Sequence, residues 1–232
     1  MENVQELKTQ LQSIRTRIEK AAKGGGRNPE SVRLVAVIKT VPIHRVRETI
    51  EAGVTILGVN YVQEARTKMS ELAAYPISWH FIGHLQSNKA KVAVRLFDLI
   101  HSVDTLKLAR ELNKHAGNIN KIQEILMQVN IGEEAAKSGV ALQDTQQLLE
   151  HISALDHLAV KGLMTMPPFF NDPEKVRPFF SALRELRDRL GQHLPHVALN
   201  ELSMGMTGDF EVAVEEGATL VRIGTAIFGE RK

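Results

Sequence analysis

The lysine at the end of an apolar run is the residue with the clearest chemical potential. Lys39 follows LVAVI at 34–38, a stretch that reads as a buried strand. Side chains alternate along a strand, so Lys39 shares a face with Val35 and Val37. At the mouth of a closed sheet its partial desolvation would favour the neutral amine, which can attack a carbonyl. A surface lysine whose amine extends into water is the alternative that this stretch leaves open.

A second set of polar and small residues lies near the end of the chain. Its members are Ser203 and Thr207 in one segment, and Arg222, Gly224 and Thr225 in the next. Hydroxyls and backbone amides of this kind can surround an anion, although two ordinary glycine turns would look similar. Arg222 lies within an apolar strand and needs a partner, because an unpaired buried charge is costly.

Taken together, these groups indicate pyridoxal 5′-phosphate as a cofactor. Lys39 would form the internal aldimine, and the hydroxyl-rich loops would hold the phosphate. Arg222 would face the pyridine nitrogen. An arginine there disfavours protonation of that nitrogen, so the ring would be a weak electron sink.

The elements that must position these residues follow a regular alternation. Strand-like runs lie at 34–39, 56–60, 78–83, 99–104, 124–131, 160–166, 198–205 and 220–229. Segments with helical periodicity separate them. Eight such units in about 200 residues predict a single (β/α)8 TIM barrel, a fold that places reactive groups and phosphate sites at the carboxyl ends of its strands.

An additional helix is predicted before the barrel, over residues 1–23. Val4, Leu7, Leu11, Ile14 and Ile18 recur at spacings of three and four, which gives one apolar stripe. Residues 24–30 then read as a helix stop and linker, since the three glycines lack the flanking residues of a phosphate loop. We expect residues 1–232 to form one domain and a monomer, with the helix covering the barrel exterior.

The composition excludes several classes of partner. Lys plus Arg total 29 against 27 Asp plus Glu, so no strong field attracts nucleic acid or an anionic membrane. The absence of cysteine excludes disulfides and thiolate metal sites. The charged amino terminus is unlike a secretory signal or transit peptide, which favours a cytoplasmic location.

Other candidate residues are better explained by structural roles than by metal binding or catalysis. His80 and His84 are four apart, but Gly83 and a strand-like pattern argue against a helical metal site. His101 and Asp104 could form a dyad, yet strand alternation separates their faces, so we expect Asp104 to cap a helix.

Several charged side chains are expected to lie at the surface. Lys89, Lys91 and Lys137 could assist cofactor exchange, but solvated surface positions are the simpler interpretation. The segment at 208–217 is expected to form a short helix whose acidic residues face water.

Blocks along nearly the whole chain resemble the pyridoxal phosphate homeostasis proteins. They are AVIKT (36–40), NYVQEA (60–65), WHFIGHLQSNK (79–89), HSVD (101–104), QVNI (128–131), KSGV (137–140), GLMT (162–165) and LSMGMTGDFEVAVEEGATLVRIGTAIFGER (202–231). The resemblance implies the alanine racemase N-terminal barrel fold, with Lys39 as the aldimine lysine and Asn60 beside the cofactor. It also implies phosphate contacts from Ser203, Thr207, Gly224 and Thr225, Arg222 near the pyridine nitrogen, and Met204 and His84 lining the pocket.

Two residues depart from the family pattern. Ile38 replaces the usual serine before the lysine, and Val59 replaces a glutamate before Asn60. Strand alternation puts both on the face opposite Lys39 and Asn60, so we expect them to pack against outer helices.

The resemblance favours a carrier that binds pyridoxal phosphate, buffers the cofactor pool and supplies apo-enzymes, without established turnover. An amino-acid racemase is the alternative, but that barrel needs a second base from a separate β-domain, and this chain ends at Lys232. An aldolase-type barrel acting through Lys39 on a sugar phosphate is a third hypothesis.

Overall fold

Eight parallel strands form a closed barrel in the computed structural model, which describes residues 2–134, 138–194 and 197–230. The strands are β1 (Arg33–Val37), β2 (Ile56–Val59), β3 (Ser78–Phe81), β4 (Leu99–Val103), β5 (Gln123–Asn130), β6 (Leu158–Met164), β7 (Glu201–Ser203) and β8 (Leu220–Ile223). Each pairs with the next, and β8 closes the barrel against β1, with Arg222 in register with Val35. A two-residue strand, Val140–Ala141, pairs with β5 outside this ring. The predicted barrel is confirmed.

Helices connect the strands and cover the barrel. They are α1 (Glu2–Gly24), α2 (Ile43–Glu51), α3 (Val62–Glu71), α4 (Ala90–Leu96), α5 (Leu106–Gly117), α6 (Thr145–Ser153), α7 (Arg177–His193), α8 (Phe210–Glu215) and α9 (Thr225–Phe228). Single 3-10 turns occur at Pro29–Ser31, Ser87–Lys89, Leu142–Asp144 and Pro173–Val176. No helix in the described part of the chain is long and apolar enough to span a membrane.

The apolar residues form two separate clusters, as strand alternation requires. A small cluster of Val35, Ile56, Leu99, Leu126, Met164 and Leu220 fills the barrel interior. The main cluster lies between the barrel and its helices, and the buried stripe of α1 belongs to it. The strands are therefore buried on both faces, which explains their nearly continuous apolar sequences.

Several strands are shorter than the sequence predicts, and the difference is largest for the last one. The last strand ends at Ile223, and the residues after Gly224 form α9 instead of continuing the strand to 229. The expected helix cap at Asp104 is also wrong. Thr105 caps α5 by accepting the Leu108 amide, while Asp104 accepts the Gly139 amide at 3.2 Å.

The acidic residues of the 208–217 segment do not simply face water. Glu211 pairs with Arg17 of α1 at 2.6 Å, and Glu215 pairs with Arg177 of α7 at 2.6 Å. Glu216 contacts Arg177 and Arg184 at 3.0 Å each. These pairs fix α8, and with it the loop after β7, between two other helices.

Candidate functional site

Lys39 lies just beyond β1, in a turn at the mouth of the barrel. The turn is closed by a hydrogen bond from the Val41 amide to the Ile38 carbonyl at 3.1 Å. The Lys39 side chain is half-buried, and its amine lies 5.4 Å from the centre of the Tyr61 ring. It borders a cavity of about 650 Å³ whose other lining residues include Val37, Arg45, Gly224, Thr225 and Phe228. The first strand and the loop after the last strand therefore share one cavity.

The loops after β7 and β8 meet beside this cavity. Thr207 Oγ1 accepts the Ala226 amide at 3.3 Å, which places Thr207 next to the first turn of α9. Gly205 begins the β7 loop with a φ of 89°, and a Cβ there would lie 2.6 Å from the Ala213 Cβ. Thr207, Gly224 and Thr225, predicted together as phosphate ligands, are thus neighbours in space.

Asn60 lies at the end of β2 and borders a neighbouring cleft of about 390 Å³ with Tyr61, His84 and Lys89. Asn60 Oδ1 is buried and has no hydrogen-bond partner among the residues that the structure describes. A Cβ at Gly83 would lie 2.3 Å from the Asn60 carbonyl oxygen, so Gly83 allows the close approach of β2 and β3 there. The unpaired amide oxygen is what a site awaiting a polar ligand would contain.

Ser203 and Arg222 point into the barrel interior, where they form part of a continuous polar chain. Arg222 donates from Nη1 to Ser203 Oγ at 2.6 Å and from Nη2 to the Thr165 carbonyl at 2.9 Å. Ser203 Oγ is also 2.9 Å from His101 Nδ1, and His101 Nε2 is 3.0 Å from His80 Nδ1. We call His80, His101, Ser203 and Arg222 the interior relay. Arg222 has the partners that a buried charge requires.

The interior relay combines one charged donor with neutral partners. Arg222 can only donate, so Ser203 Oγ accepts from it. Burial lowers the pKa of His101 well below 6.5, and lowers that of His80 to about 3. Both rings are therefore neutral at pH 7, and one ring donates to the other across the 3.0 Å between His101 Nε2 and His80 Nδ1.

Arg222 keeps its charge in this buried position. Desolvation lowers its pKa to about 10, while the Asp209 carboxylate acts in the opposite direction. Burial raises the pKa of Asp209. Arg222 is thus a buried cation that donates to neutral oxygens of Ser203 and Thr165.

Other predicted site residues lie away from the cavity. The Met204 side chain is fully buried in the main core, so it does not line the pocket. His84 is exposed and lies 3.3 Å from Ser138 Oγ, whereas His80 turns inward to His101. Ile38 and Val59 are buried in the main core, as expected from strand alternation.

Two of the three lysines considered for cofactor exchange lie in the described part of the chain. Lys89 is half-buried in the Asn60 cleft, Lys91 is exposed, and Lys137 lies outside the described residues.

Sequence reasoning missed the role of His80 and His101. His80 is in register with Leu99 on the next strand, two residues before His101. Polar residues at inward positions of adjacent apolar strands were the available signal, because such residues must pair with each other.

The fold and the lysine-bearing strand end define a known class of barrel. The family described as alanine racemase, N-terminal domain, matches residues 9–232, and the chain belongs to that family. Within it, the chain groups with the pyridoxal phosphate homeostasis proteins. It is 47% identical over 222 residues to the pyridoxal phosphate homeostasis protein of Aquifex aeolicus, covering 96% of this chain and 97% of that protein.

Two further comparisons agree with this assignment. The pyridoxal phosphate homeostasis protein of Escherichia coli K12 is 39% identical over 224 residues, covering 95% of both chains. The structure of PipY from Synechococcus elongatus PCC7942, with PLP bound, matches with a TM-score of 0.86 at 37% identity. That match covers 96% of this chain and all of PipY.

Proposed function

We propose that this protein binds pyridoxal 5′-phosphate covalently through Lys39 and acts in intracellular vitamin B6 homeostasis. The observation that carries the proposal is the position of the Lys39 amine on the same 650 Å³ cavity as Gly224 and Thr225. Pyridoxal phosphate supplies an aldehyde that condenses with a primary amine, with loss of water. The relatives' names and the cofactor in PipY support this choice over a sugar phosphate.

The residues present fit such a cofactor. Thr207, Gly224 and Thr225 offer hydroxyls and an amide at one end of the cavity, where they would hold the phosphate. Asn60 has a buried oxygen without a protein partner, and would contact the ring side of the cofactor. Lys39 is half-buried, and its amine lies 5.4 Å from the centre of the Tyr61 ring.

Arg222 would lie near the pyridine nitrogen and keep the ring a weak electron sink. Arg222 already donates to Ser203 and Thr165, so Ser203 supports the site through Arg222 as well as being a candidate phosphate ligand. The guanidinium remains charged at pH 7, which disfavours a proton on a neighbouring nitrogen. We therefore propose a carrier without amino-acid turnover.

The decisive experiment is reduction of the loaded protein followed by peptide mapping. Borohydride should fix the cofactor on Lys39, and Lys39→Ala should abolish both the visible absorption and the labelled peptide. Lys89→Ala is the matched control, because Lys89 is half-buried in the neighbouring cleft. Label on Lys89, or on any other side chain, would refute the assignment.

Turnover is tested on the same preparation. Racemase and transaminase assays with amino acids should give background rates with wild type and Lys39→Ala alike. Robust turnover that depends on Lys39 would instead support an enzyme.

Several properties stay predictions from the sequence. They are the single domain over 1–232, the monomeric state, the cytoplasmic location, the apo-enzyme recipients and the pocket role of His84.

A further inference from the structure

The turn that carries Lys39 contains an unfavourable backbone conformation. Thr40 has a φ of 61°, in the left-handed region that glycine normally occupies. A β-branched residue there is disfavoured, and such strain persists only where the surrounding structure imposes it. Thr40 Oγ1 donates to the Lys39 carbonyl at 2.6 Å, which is one local contribution. The rest must come from outside the turn.

Two charged residues of α3 hold the turn from both sides of Lys39. Lys68 Nζ donates to the Ile38 carbonyl at 2.7 Å, and Glu64 Oε1 accepts the Thr40 amide at 2.9 Å. The same two side chains pair with each other at 2.6 Å. Their side chains are 10% and 21% exposed, so the pair is largely shielded from water. We call Glu64 and Lys68 the α3 clamp.

The chemistry of the α3 clamp matches the groups that it holds. A carboxylate can accept the amide that follows Lys39, and an ammonium can donate to the carbonyl that precedes it. Charge-assisted hydrogen bonds of this kind are roughly twice as strong as neutral ones. Neither residue reaches the cavity that Lys39 borders. Their effect on Lys39 therefore passes through the backbone.

We propose that Glu64 and Lys68 are positioning residues, which hold the strained Lys39 turn so that its amine faces the cavity. This inference deepens the proposed function and rests on it where cofactor retention is measured. It assigns a role to two residues that do not line the cavity. That role depends on which residue of the pair carries which charge.

A charge swap separates positioning from simple helix stabilisation. Glu64→Lys combined with Lys68→Glu keeps an i,i+4 ion pair. It places an ammonium opposite the Thr40 amide and a carboxylate opposite the Ile38 carbonyl, so neither backbone hydrogen bond can form. The matched control is Glu19→Lys with Lys23→Glu, the same residue types at the same spacing on the exposed surface of α1. Lys68→Met is the second variant, because it removes one backbone contact and introduces no charge.

The first readout needs no cofactor. Amide hydrogen exchange at Thr40 in the ligand-free protein should accelerate at least tenfold in the α3 swap, and remain at the wild-type rate in the α1 swap. Unchanged Thr40 protection in a folded α3 swap would overturn the proposal. If the swap does not fold, Lys68→Met should weaken cofactor binding, and retention equal to wild type would overturn the proposal instead.

The second readout is retention of pyridoxal phosphate. We expect the α3 swap to bind the cofactor about tenfold more weakly, or about 1.4 kcal/mol, with the α1 swap unchanged. Equal affinity of the α3 swap and wild type would also overturn the proposal. Failure of wild type itself to bind would refute the proposed function, while Thr40 exchange would still decide whether the α3 clamp holds the turn.

Discussion

The interior relay makes a quantitative prediction about a single hydroxyl. Ser203 on β7 and Ser102 on β4 are both fully buried serines, with 0% and 1% exposure. Ser203 Oγ joins Arg222 to His101, whereas Ser102 Oγ has no hydrogen-bond partner among the described residues. Replacing each serine by alanine removes the same atom from two different environments.

The two substitutions are expected to change the free energy of unfolding by different amounts and in different directions. Ser203→Ala leaves a buried guanidinium donor and a buried imidazole nitrogen unpaired, which together should cost about 3 kcal/mol. Ser102→Ala removes an unpaired buried hydroxyl, so it should be neutral or stabilising by about 1 kcal/mol. The variants should therefore differ by about 3 to 4 kcal/mol, well above the usual error of such measurements.

Urea unfolding of the ligand-free proteins at pH 7.5 is the suitable assay. The midpoint should fall for Ser203→Ala and not for Ser102→Ala, with the slope m unchanged in both because the same surface is exposed on unfolding. A midpoint for Ser203→Ala equal to that of wild type would refute the inference that Ser203 joins the two sides of the relay. A fall in both would show that the hydroxyl of Ser102 is paired in solution.

Two further predictions follow from buried groups at the site. His80 and His101 stay neutral in the folded protein while the unfolded chain protonates below its ordinary pKa of about 6.5, so stability should fall as pH falls. From pH 7.5 to 5.5 the two rings should together cost about 3 kcal/mol, and His101→Gln should remove about half of that loss in parallel urea titrations. Gly205→Ala should destabilise by about 2 kcal/mol or more, because its φ is 89° and the added methyl would meet Ala213. Gly191→Ala in α7, where a Cβ meets nothing within 4 Å, should instead raise the melting temperature, and equal shifts in the two variants would contradict the argument.

The barrel could be predicted from the sequence because its strands are buried on both faces. Runs such as 34–38 are apolar throughout, and helical segments of regular length separate them. The ends of the strands could not be placed so well. Lys39 lies in a turn beyond β1 because Thr40 adopts a positive φ, and β8 ends because Gly224 leaves the extended conformation with a ψ of −70°.

Site residues could be predicted where one strand end supplied them, but not where distant strands had to meet. Lys39, Gly224 and Thr225 line one cavity because Lys39 follows β1 and the other two follow β8 at the barrel mouth. The interior relay joins residues separated by 102, 21 and 19 positions, which no local sequence pattern brings together. Ser203 was therefore predicted as a phosphate ligand, although its hydroxyl is engaged by Arg222 and His101.

The two supports of the site lie on opposite sides of the barrel wall, and the pairing of β8 with β1 links them. Arg222 is held from the interior by Ser203 and Thr165, while the Lys39 turn is held from the exterior by the α3 clamp. Because Val35 is in register with Arg222, the backbone fixes the start of the Lys39 turn relative to the guanidinium. Changes in the interior relay should therefore appear mainly in protein stability, and changes in the α3 clamp mainly in cofactor retention.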